Sequence, residues 1–149
     1  MILIDANLLL YAYDSSSTSH ESARRWLEEV FAGNEPVRLA WATVLAFLRI
    51  STNPRLQQQV FTLPEAISIV EEWLAQPNSS LLAPGDRHWR ILTGILPEAQ
   101  ARGPLVMDAD LAALAIEHGA TLYSNDRDFS RFPGLKYVNP FSPGRAVPR

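Results

Sequence analysis

The sequence predicts an α/β fold with a mostly parallel central sheet flanked by helices. Short apolar runs typical of buried strands alternate along the chain with longer amphipathic segments typical of helices. This alternation indicates parallel strands joined by helical crossovers. The 149 residues match the size of one ordinary domain. Hydrophobic residues make up 47% and charged residues 19% of the chain, as in folded globular proteins.

Apolar spacing defines the first elements. Residues 2–4 form a branched apolar run that predicts a buried strand, and residues 7–11 predict a short helix. A second helix follows, because apolar residues recur at i, i+3, i+4, i+7 and i+8 until Gly33. Thr18 and Glu21 have the spacing of a capping box at its start.

The next three elements continue the alternation. Residues 37–40 predict a second strand, and the mostly apolar residues 43–50 predict a buried helix. Thr62 and Glu65 again have capping-box spacing, and the apolar stripe after them predicts a helix that reaches Leu74.

A strand and a helix are predicted in the following stretch. Residues 80–83 favour a strand, and Asp86 is a candidate N-cap for a helix whose inner face includes Trp89. Amphipathic spacing also places Trp26 and Trp73 on inner faces, so we expect all three tryptophans in the core.

The last elements are short. Residues 105–107 form an apolar run before a predicted helix over residues 108–118, which Gly119 ends. Residues 121–123 and 136–138 predict two further strands.

The composition changes only at the C-terminus. Residues 140–149 contain three prolines and a glycine, which predicts an irregular tail. We find no internal repeat or linker before it, so residues 1–139 are predicted to form one domain.

Composition also excludes several classes of protein. The absence of cysteine excludes disulfides, thiolate metal sites and a cysteine nucleophile. The formal net charge of -3 argues against a broadly cationic nucleic-acid binder. The sequence has no run of about 18 apolar residues that would suggest a membrane span. Its start lacks the basic region of a signal peptide, so we expect a cytoplasmic protein.

Three aspartates occupy similar places in the predicted fold. Asp5 directly follows the first strand, Asp126 follows strand 121–123 by three residues, and Asp108 opens a helix after an apolar run. Because the carboxyl ends of parallel strands line the ligand crevice of an open sheet, we expect these carboxylates to converge. Converging carboxylates repel one another unless a cation lies between them, and Mg²⁺ or Mn²⁺ prefers such oxygen ligands.

Each aspartate also has a purely structural explanation. Asp5 and Asp108 precede helices, where aspartate is a favoured N-cap, and Asp126 lies in a turn over residues 124–128. For any one residue the capping or turn role is the simpler interpretation. The shared position at one edge of the sheet is what favours a metal site.

Four segments carry a family resemblance: residues 2–7, 45–54, 108–119 and 124–132. In this order and spacing they resemble the PIN domain, and more narrowly the VapC-type toxins, which are the ribonuclease halves of toxin–antitoxin pairs. The resemblance extends from residue 2 to about residue 140. It implies a three-layer fold and an Mg²⁺- or Mn²⁺-dependent endoribonuclease that hydrolyses RNA phosphodiester bonds.

The resemblance also implies roles for individual residues. Asp5, Asp108 and Asp126 match three acids of the family's metal and catalytic site, with Asp5 binding the metal directly. Asn7 is implied to orient Asp5, and Asp128 is a further acid outside the first set.

One family residue is missing. The usual glutamate of the middle helix is replaced by Ala46, and no glutamate occurs between Glu35 and Glu65. This absence puts the affinity for metal and the number of ions in question. Thr43 is a secondary candidate that offers a hydroxyl to the site, although a helix-surface or capping role is the simpler interpretation.

Arginine dominates the basic residues, since Lys136 is the only lysine. Guanidinium groups form bidentate contacts with phosphate, and Arg49 and Arg127, which adjoin the site segments, are candidate RNA contacts. Trp41 and Phe129 are candidates for stacking on unpaired bases. From the family resemblance we also expect a homodimer and a VapB-like antitoxin that covers the active-site groove.

Two other functions are alternatives to this prediction. A haloacid-dehalogenase-like phosphatase requires a second aspartate two residues after the first, but Asn7 occupies that position. A catalytically weakened PIN fold that only sequesters antitoxin or RNA is consistent with the loss of the glutamate at Ala46. A metal-dependent nuclease assay separates this binding module from the enzyme.

Overall fold

Five parallel strands form the centre of the computed structural model, which describes residues 1–141. The strands lie in the order β3-β2-β1-β4-β5, and every neighbouring pair is parallel. They comprise β1 (Ile2–Ile4), β2 (Val37–Ala40), β3 (Ser79–Leu82), β4 (Thr121–Tyr123) and β5 (Lys136–Val138). The prediction of a mostly parallel sheet is confirmed.

Helices cover both faces of the sheet. They comprise α1 (Ala6–Ala12), α2 (His20–Ala32), α3 (Trp41–Ser51), α4 (Leu63–Leu74), α5 (His88–Glu98) and α6 (Leu105–His118), with a short 3₁₀ helix at Arg127–Arg131. Ile2 and Ile4 pack into a core with α1 to α4, whereas Leu3 packs into a second core with α5, α6 and the 3₁₀ helix. Because successive side chains of a strand point to opposite faces, this alternation produces the expected three layers.

Aromatic side chains organise the first core. The rings of Phe47 and Trp73 meet edge to face with centroids 4.6 Å apart, and Tyr13 packs on Trp73 at 5.7 Å. Trp73 Nε1 donates a hydrogen bond to the Tyr13 hydroxyl at 3.1 Å. Each such ring pair adds roughly 0.5–1.5 kcal/mol beyond its buried area. The expectation that Trp73 lies in the core is confirmed, and Trp26 packs against Tyr123 of β4.

Two predicted helix ends are confirmed. Thr62 and Glu65 form a complete capping box, in which Glu65 Oε1 accepts from the Thr62 N–H and Thr62 Oγ1 accepts from the Glu65 N–H. Gly119 ends α6 in the left-handed region at φ +66°, where a residue with a Cβ would be strained.

Two predicted caps are wrong. Ser19, not Thr18, precedes α2, and no side chain caps that helix, because the preceding turn already supplies the Ser17 carbonyl to the His20 N–H. Asp86 does not cap α5, which follows Arg87. The N–H groups of Gly85 and Arg87 bond instead to the carboxylate of Glu117, which comes from α6.

Helix α6 begins earlier than predicted. The apolar run over residues 105–107 forms its first turn, and Val106 and Met107 are exposed. Asp108 therefore lies inside the first turn and is not the N-cap. The expectation of a buried Trp89 is also wrong, since this side chain is 72% exposed. Ile95 is buried as expected, Leu92 and Leu96 pack against the second core, and His88 rather than Trp89 is buried in the first turn of α5.

The predicted irregular tail lies largely outside the described residues, because the structure describes only Pro140 and Phe141 of residues 140–149. The division into a domain of residues 1–139 and a tail stays a prediction. Across residues 1–141, no helix has the combination of length and apolarity that crossing a bilayer requires.

Candidate active site

The candidate site lies where the order of the sheet reverses. From β1 the chain proceeds to β2 and β3 on one side of the sheet, while β4 and β5 lie on the other side. Ligands of open α/β sheets bind outside the carboxyl ends of the strands at such a point. Asp5 follows β1 there, and its N–H donates to the carbonyl of Tyr123 at the end of β4 at 3.0 Å.

Asp5 combines a structural role with a place in the site. Its Oδ1 accepts from the Ala6 N–H at 2.8 Å and caps α1, as the simpler interpretation predicts. Its Oδ2 accepts from the Ser124 hydroxyl at 2.6 Å. Burial raises the pKa of Asp5, these two hydrogen bonds lower it in part, and the charge of Asp126 adds to the rise.

Ser124 connects the residues at this edge, and sequence reasoning missed it. The residue is fully buried directly after β4, level with Asp5 after β1. Besides donating to Asp5, its Oγ accepts from Asn7 Nδ2 at 3.3 Å and from the Asp126 N–H at 3.0 Å. Asn7 is thus linked to Asp5 by hydrogen bonds through Ser124. The position of Ser124 at a strand's carboxyl end was the available signal.

Three carboxylates form the tightest acidic group. One oxygen from each of Asp108, Asp126 and Asp128 lies within 4.8 Å of the other two. Asp126 Oδ1 also accepts from the Asp128 N–H at 2.9 Å, which forms the predicted turn and begins the 3₁₀ helix. Asp5 lies outside this group of three but within its electrostatic influence.

The acids of this group repel one another. Burial, followed by the charges of Asp126, Asp5 and Asp128, raises the pKa of Asp108 from 3.8 to about 6. Among residues 1–141, no lysine or arginine forms a salt bridge with any of the four. A set of carboxylate oxygens that lacks a protein cation suits a hard divalent cation, so the donor set fits Mg²⁺ or Mn²⁺.

Two cavities adjoin at Asp108. One, of about 960 Å³, has Asp108, Asp126 and Asp128 on its wall, and its other lining residues include Gln100, Arg102, Leu105 and Arg131. The second, of about 670 Å³, has Asp5 and Asp108 on its wall, together with residues of α3 and α6 that include Thr43, Leu45, Ala46, Arg49 and Met107. The acids therefore line two neighbouring cavities that meet at Asp108.

The other candidate residues differ in where they lie relative to the two cavities. Thr43 is buried, with Oγ1 3.5 Å from the Ile4 carbonyl, so the expected helix-surface or capping role is wrong. Ala46, at the place of the missing glutamate, lies on the wall shared by Asp5 and Asp108. Arg49 lines the same cavity, whereas Arg127 is exposed outside both.

The two aromatic stacking candidates differ in exposure. Phe129 is 1% exposed, because it packs in the second core against Phe132 and Tyr137, so the expectation that it stacks on RNA bases is wrong. Trp41 is 55% exposed.

Comparison with known proteins identifies the family. A family model of the PIN domain matches residues 2–135. The chain belongs to the PIN domain family. Among curated relatives of this PIN domain, Ribonuclease VapC37 of Mycobacterium tuberculosis is 41% identical over 140 residues, which cover 94% of this chain and 97% of the relative. Ribonuclease VapC33 of the same species is 39% identical, with 94% and 98% covered.

Solved structures share the fold of this PIN domain. VapBC2 from Rickettsia felis bound to a promoter DNA fragment matches with a TM-score of 0.69 and 17% identity over 93% of this chain and 98% of the matched one. VapC20 of Mycobacterium tuberculosis, described as a sarcin-ricin loop cleaving toxin, matches with a TM-score of 0.63 and 14% identity, covering 91% and 99%. The predicted fold and the resemblance to VapC-type toxins are confirmed.

Proposed function

We propose that this PIN domain is a VapC-type endoribonuclease that hydrolyses RNA phosphodiester bonds with a bound Mg²⁺ or Mn²⁺. Its curated relatives are named ribonucleases, and they match over nearly their whole length. The observation that carries the proposal is the group of Asp108, Asp126 and Asp128, whose carboxylates approach one another without a salt bridge to any arginine or lysine of residues 1–141. Such an arrangement is costly unless a cation joins it.

The residues of the site would have different roles in hydrolysis. Asp108, Asp126 and Asp128 would hold the metal ion, with Asp5 beside them. A bound divalent ion lowers the pKa of a water ligand and takes up negative charge from phosphate oxygens. An ionised carboxylate at this edge can orient the attacking water and accept its proton. The buried hydroxyl of Ser124 keeps Asp5 and the backbone of Asp126 in register.

A nuclease assay tests the proposal. The purified chain, free of any partner, should cleave a mixed RNA pool in the presence of Mg²⁺ or Mn²⁺, and EDTA should stop the reaction. Asp5→Asn and Asp126→Asn should each lower the rate by at least about 100-fold, because charge at the reacting centre is lost. Asp86→Asn is the matched control, since Asp86 is exposed and lines neither cavity. Unchanged cleavage by the first two variants would mean that the site is wrongly placed.

We also propose a VapB-like antitoxin and a homodimer as partners, and a cytoplasmic location, where RNA is available. The solved structures that share the fold include VapBC complexes, some bound to DNA. A basic side chain of the antitoxin would compensate the carboxylates, and the exposed Leu45 and Met107 beside them would contact its apolar residues. Co-expression with a small neighbour-encoded DNA-binding protein should give a complex that no longer cleaves RNA. A complex that cleaves at the rate of the free chain would refute inhibition at this site.

The binding module stays the alternative because of one residue. Ala46 lies on the wall shared by Asp5 and Asp108, so this site has one carboxylate fewer than the family pattern. If no RNA pool is cleaved with either metal while RNA or antitoxin still binds, the binding module is the better description.

A further inference from the structure

Two arginines line the same cavity as the acids. Arg102 lies in the loop between α5 and α6, and Arg131 ends the 3₁₀ helix. They are distant in sequence, yet both border the cavity of about 960 Å³ that contains Asp108, Asp126 and Asp128. The lining of this cavity therefore contains both acidic and basic side chains.

These arginines do not neutralise the acids. In the part of the chain that the structure describes, neither guanidinium forms a salt bridge or a side-chain hydrogen bond. Two exposed guanidinium groups that line the cavity without a protein partner among residues 1–141 are available to bind an anionic ligand there.

The loop that presents Arg102 has an unusual residue. Gln100 follows α5 in the left-handed region at φ +52°, in a turn where its N–H bonds to the Pro97 carbonyl and the Ala101 N–H to the Leu96 carbonyl. Glycine is the least strained residue at this position. Gln100 instead lines the same cavity with an amide that can donate hydrogen bonds.

We propose that Arg102 and Arg131, assisted by Gln100, bind backbone phosphates of the RNA beside the bond that is cut. The inference rests on the proposed function and extends it by placing one flank of the RNA on the α5–α6 side of the acids. Guanidinium groups bind phosphate in bidentate fashion. The N-terminus of α6 opens on to the same cavity at Pro104 and Leu105 and adds the positive end of its dipole.

Binding and kinetics together test this subsite. Arg102→Gln and Arg131→Gln should each raise KM, and the Kd for a labelled single-stranded RNA pool, by about 5- to 10-fold, with kcat changed less than twofold. Each should also reduce the slope of log Kd against log salt by about 0.7, the value for one phosphate contact on a single strand. Arg25→Gln on α2 is the matched control, because Arg25 is exposed and borders neither cavity.

Arg127→Gln tests whether lining the cavity is what matters. Arg127 lies only four residues from Arg131 but does not line the cavity. We expect it to change Kd much less than Arg131→Gln. The inference is overturned if Arg102→Gln and Arg131→Gln bind RNA with wild-type affinity and salt slope, or if the wild type shows no salt-dependent RNA binding. If the wild type binds RNA through these arginines but cleaves none with either metal, the subsite stands and the proposed nuclease function fails.

Discussion

The carboxylates at the two ends of helix α6 have opposite surroundings and opposite pKa shifts. At the first turn, Asp108 lies among Asp5, Asp126 and Asp128, and its pKa is raised from 3.8 to about 6 by burial and by their charges. No basic side chain among residues 1–141 pairs with it.

At the last turn, both carboxylate oxygens of Glu117 accept hydrogen bonds. Its Oε1 accepts from the Gly85 N–H at 2.7 Å and its Oε2 from the Arg87 N–H at 2.9 Å. The bond from Gly85, then that from Arg87 and the nearby His118 and His88, lower the pKa of Glu117 below its usual 4.5.

The helix dipole predicts the reverse of this difference. An acid is favoured at a helix N-terminus and disfavoured at a C-terminus, by about 0.3–1 kcal/mol at exposed positions. Tertiary contacts outweigh that contribution at both ends of α6. Glu117 accepts the N–H groups of the loop before α5, whereas Asp108 has no salt-bridge partner within the part of the chain that the structure describes.

The largest expected contrast is in activity. Asp108→Asn should lower metal-dependent RNA cleavage by at least about 100-fold, because a carboxylate beside the reacting phosphate is lost. Glu117→Gln, an equally small change on the same helix, should leave the rate within about twofold in an assay at matched folded protein. Equal losses in both variants would mean that the two ends of α6 do not differ in function.

A fifth carboxylate at this edge of the sheet should strengthen metal binding. Ala46→Glu places an acid on the wall shared by Asp5 and Asp108, and it should tighten Mn²⁺ binding by roughly tenfold, since ligand charge sets affinity for hard cations. Calorimetric titration measures the change, and Ala46→Gln controls for side-chain size. If the Glu and Gln variants bind Mn²⁺ equally, the wall at Ala46 does not face the metal site.

Stability should change in the opposite sense to activity. Glu117→Gln should lower the Tm of the metal-free protein by about 2–5 °C, because an amide cannot accept both backbone N–H bonds. Asp108→Asn should leave Tm unchanged or raise it, because a repelled charge is removed. Thermal unfolding in EDTA measures both, and a Tm of Asp108→Asn well below the wild type would contradict the repulsion.

The smallest expected effect is on the pH dependence of stability. Between pH 3.8 and about 6 the native state binds more protons at Asp108 than the unfolded state does, so this residue makes stability fall as pH rises. Glu117 acts in the opposite direction, because its stabilisation is present above pH 4.5 and is lost as pH falls through its lowered pKa. Relative to Asp108→Asn, the Tm of the wild type in EDTA should therefore fall as the pH rises from 3.8 to about 6.

Local rules predicted much of the architecture. The strands at residues 2–4 and 121–123 were placed correctly by short apolar runs, and the capping box of Thr62 and Glu65 by residue spacing alone. Predictions failed where a distant partner intervened. Asp86 is not a cap because Glu117, from another helix, supplies the acceptor, and Trp89 is exposed because the packing of α5 on α6 selects the face with His88.

The site shows the same division. Local sequence pattern was enough to place Asp5 and Asp126 after strands, because apolar patterning and turn residues mark where a strand ends; that the two strands are neighbours comes from the sheet. It also supplied the family resemblance through the order of its motifs. Folding brings Asp128 beside Asp108 and Asp126, connects Ser124 to Asp5, and places Arg102 and Arg131 in the same cavity as the acids. Distances between side chains on different elements, and the burial and charge that shift their pKa, exist only once the chain has folded.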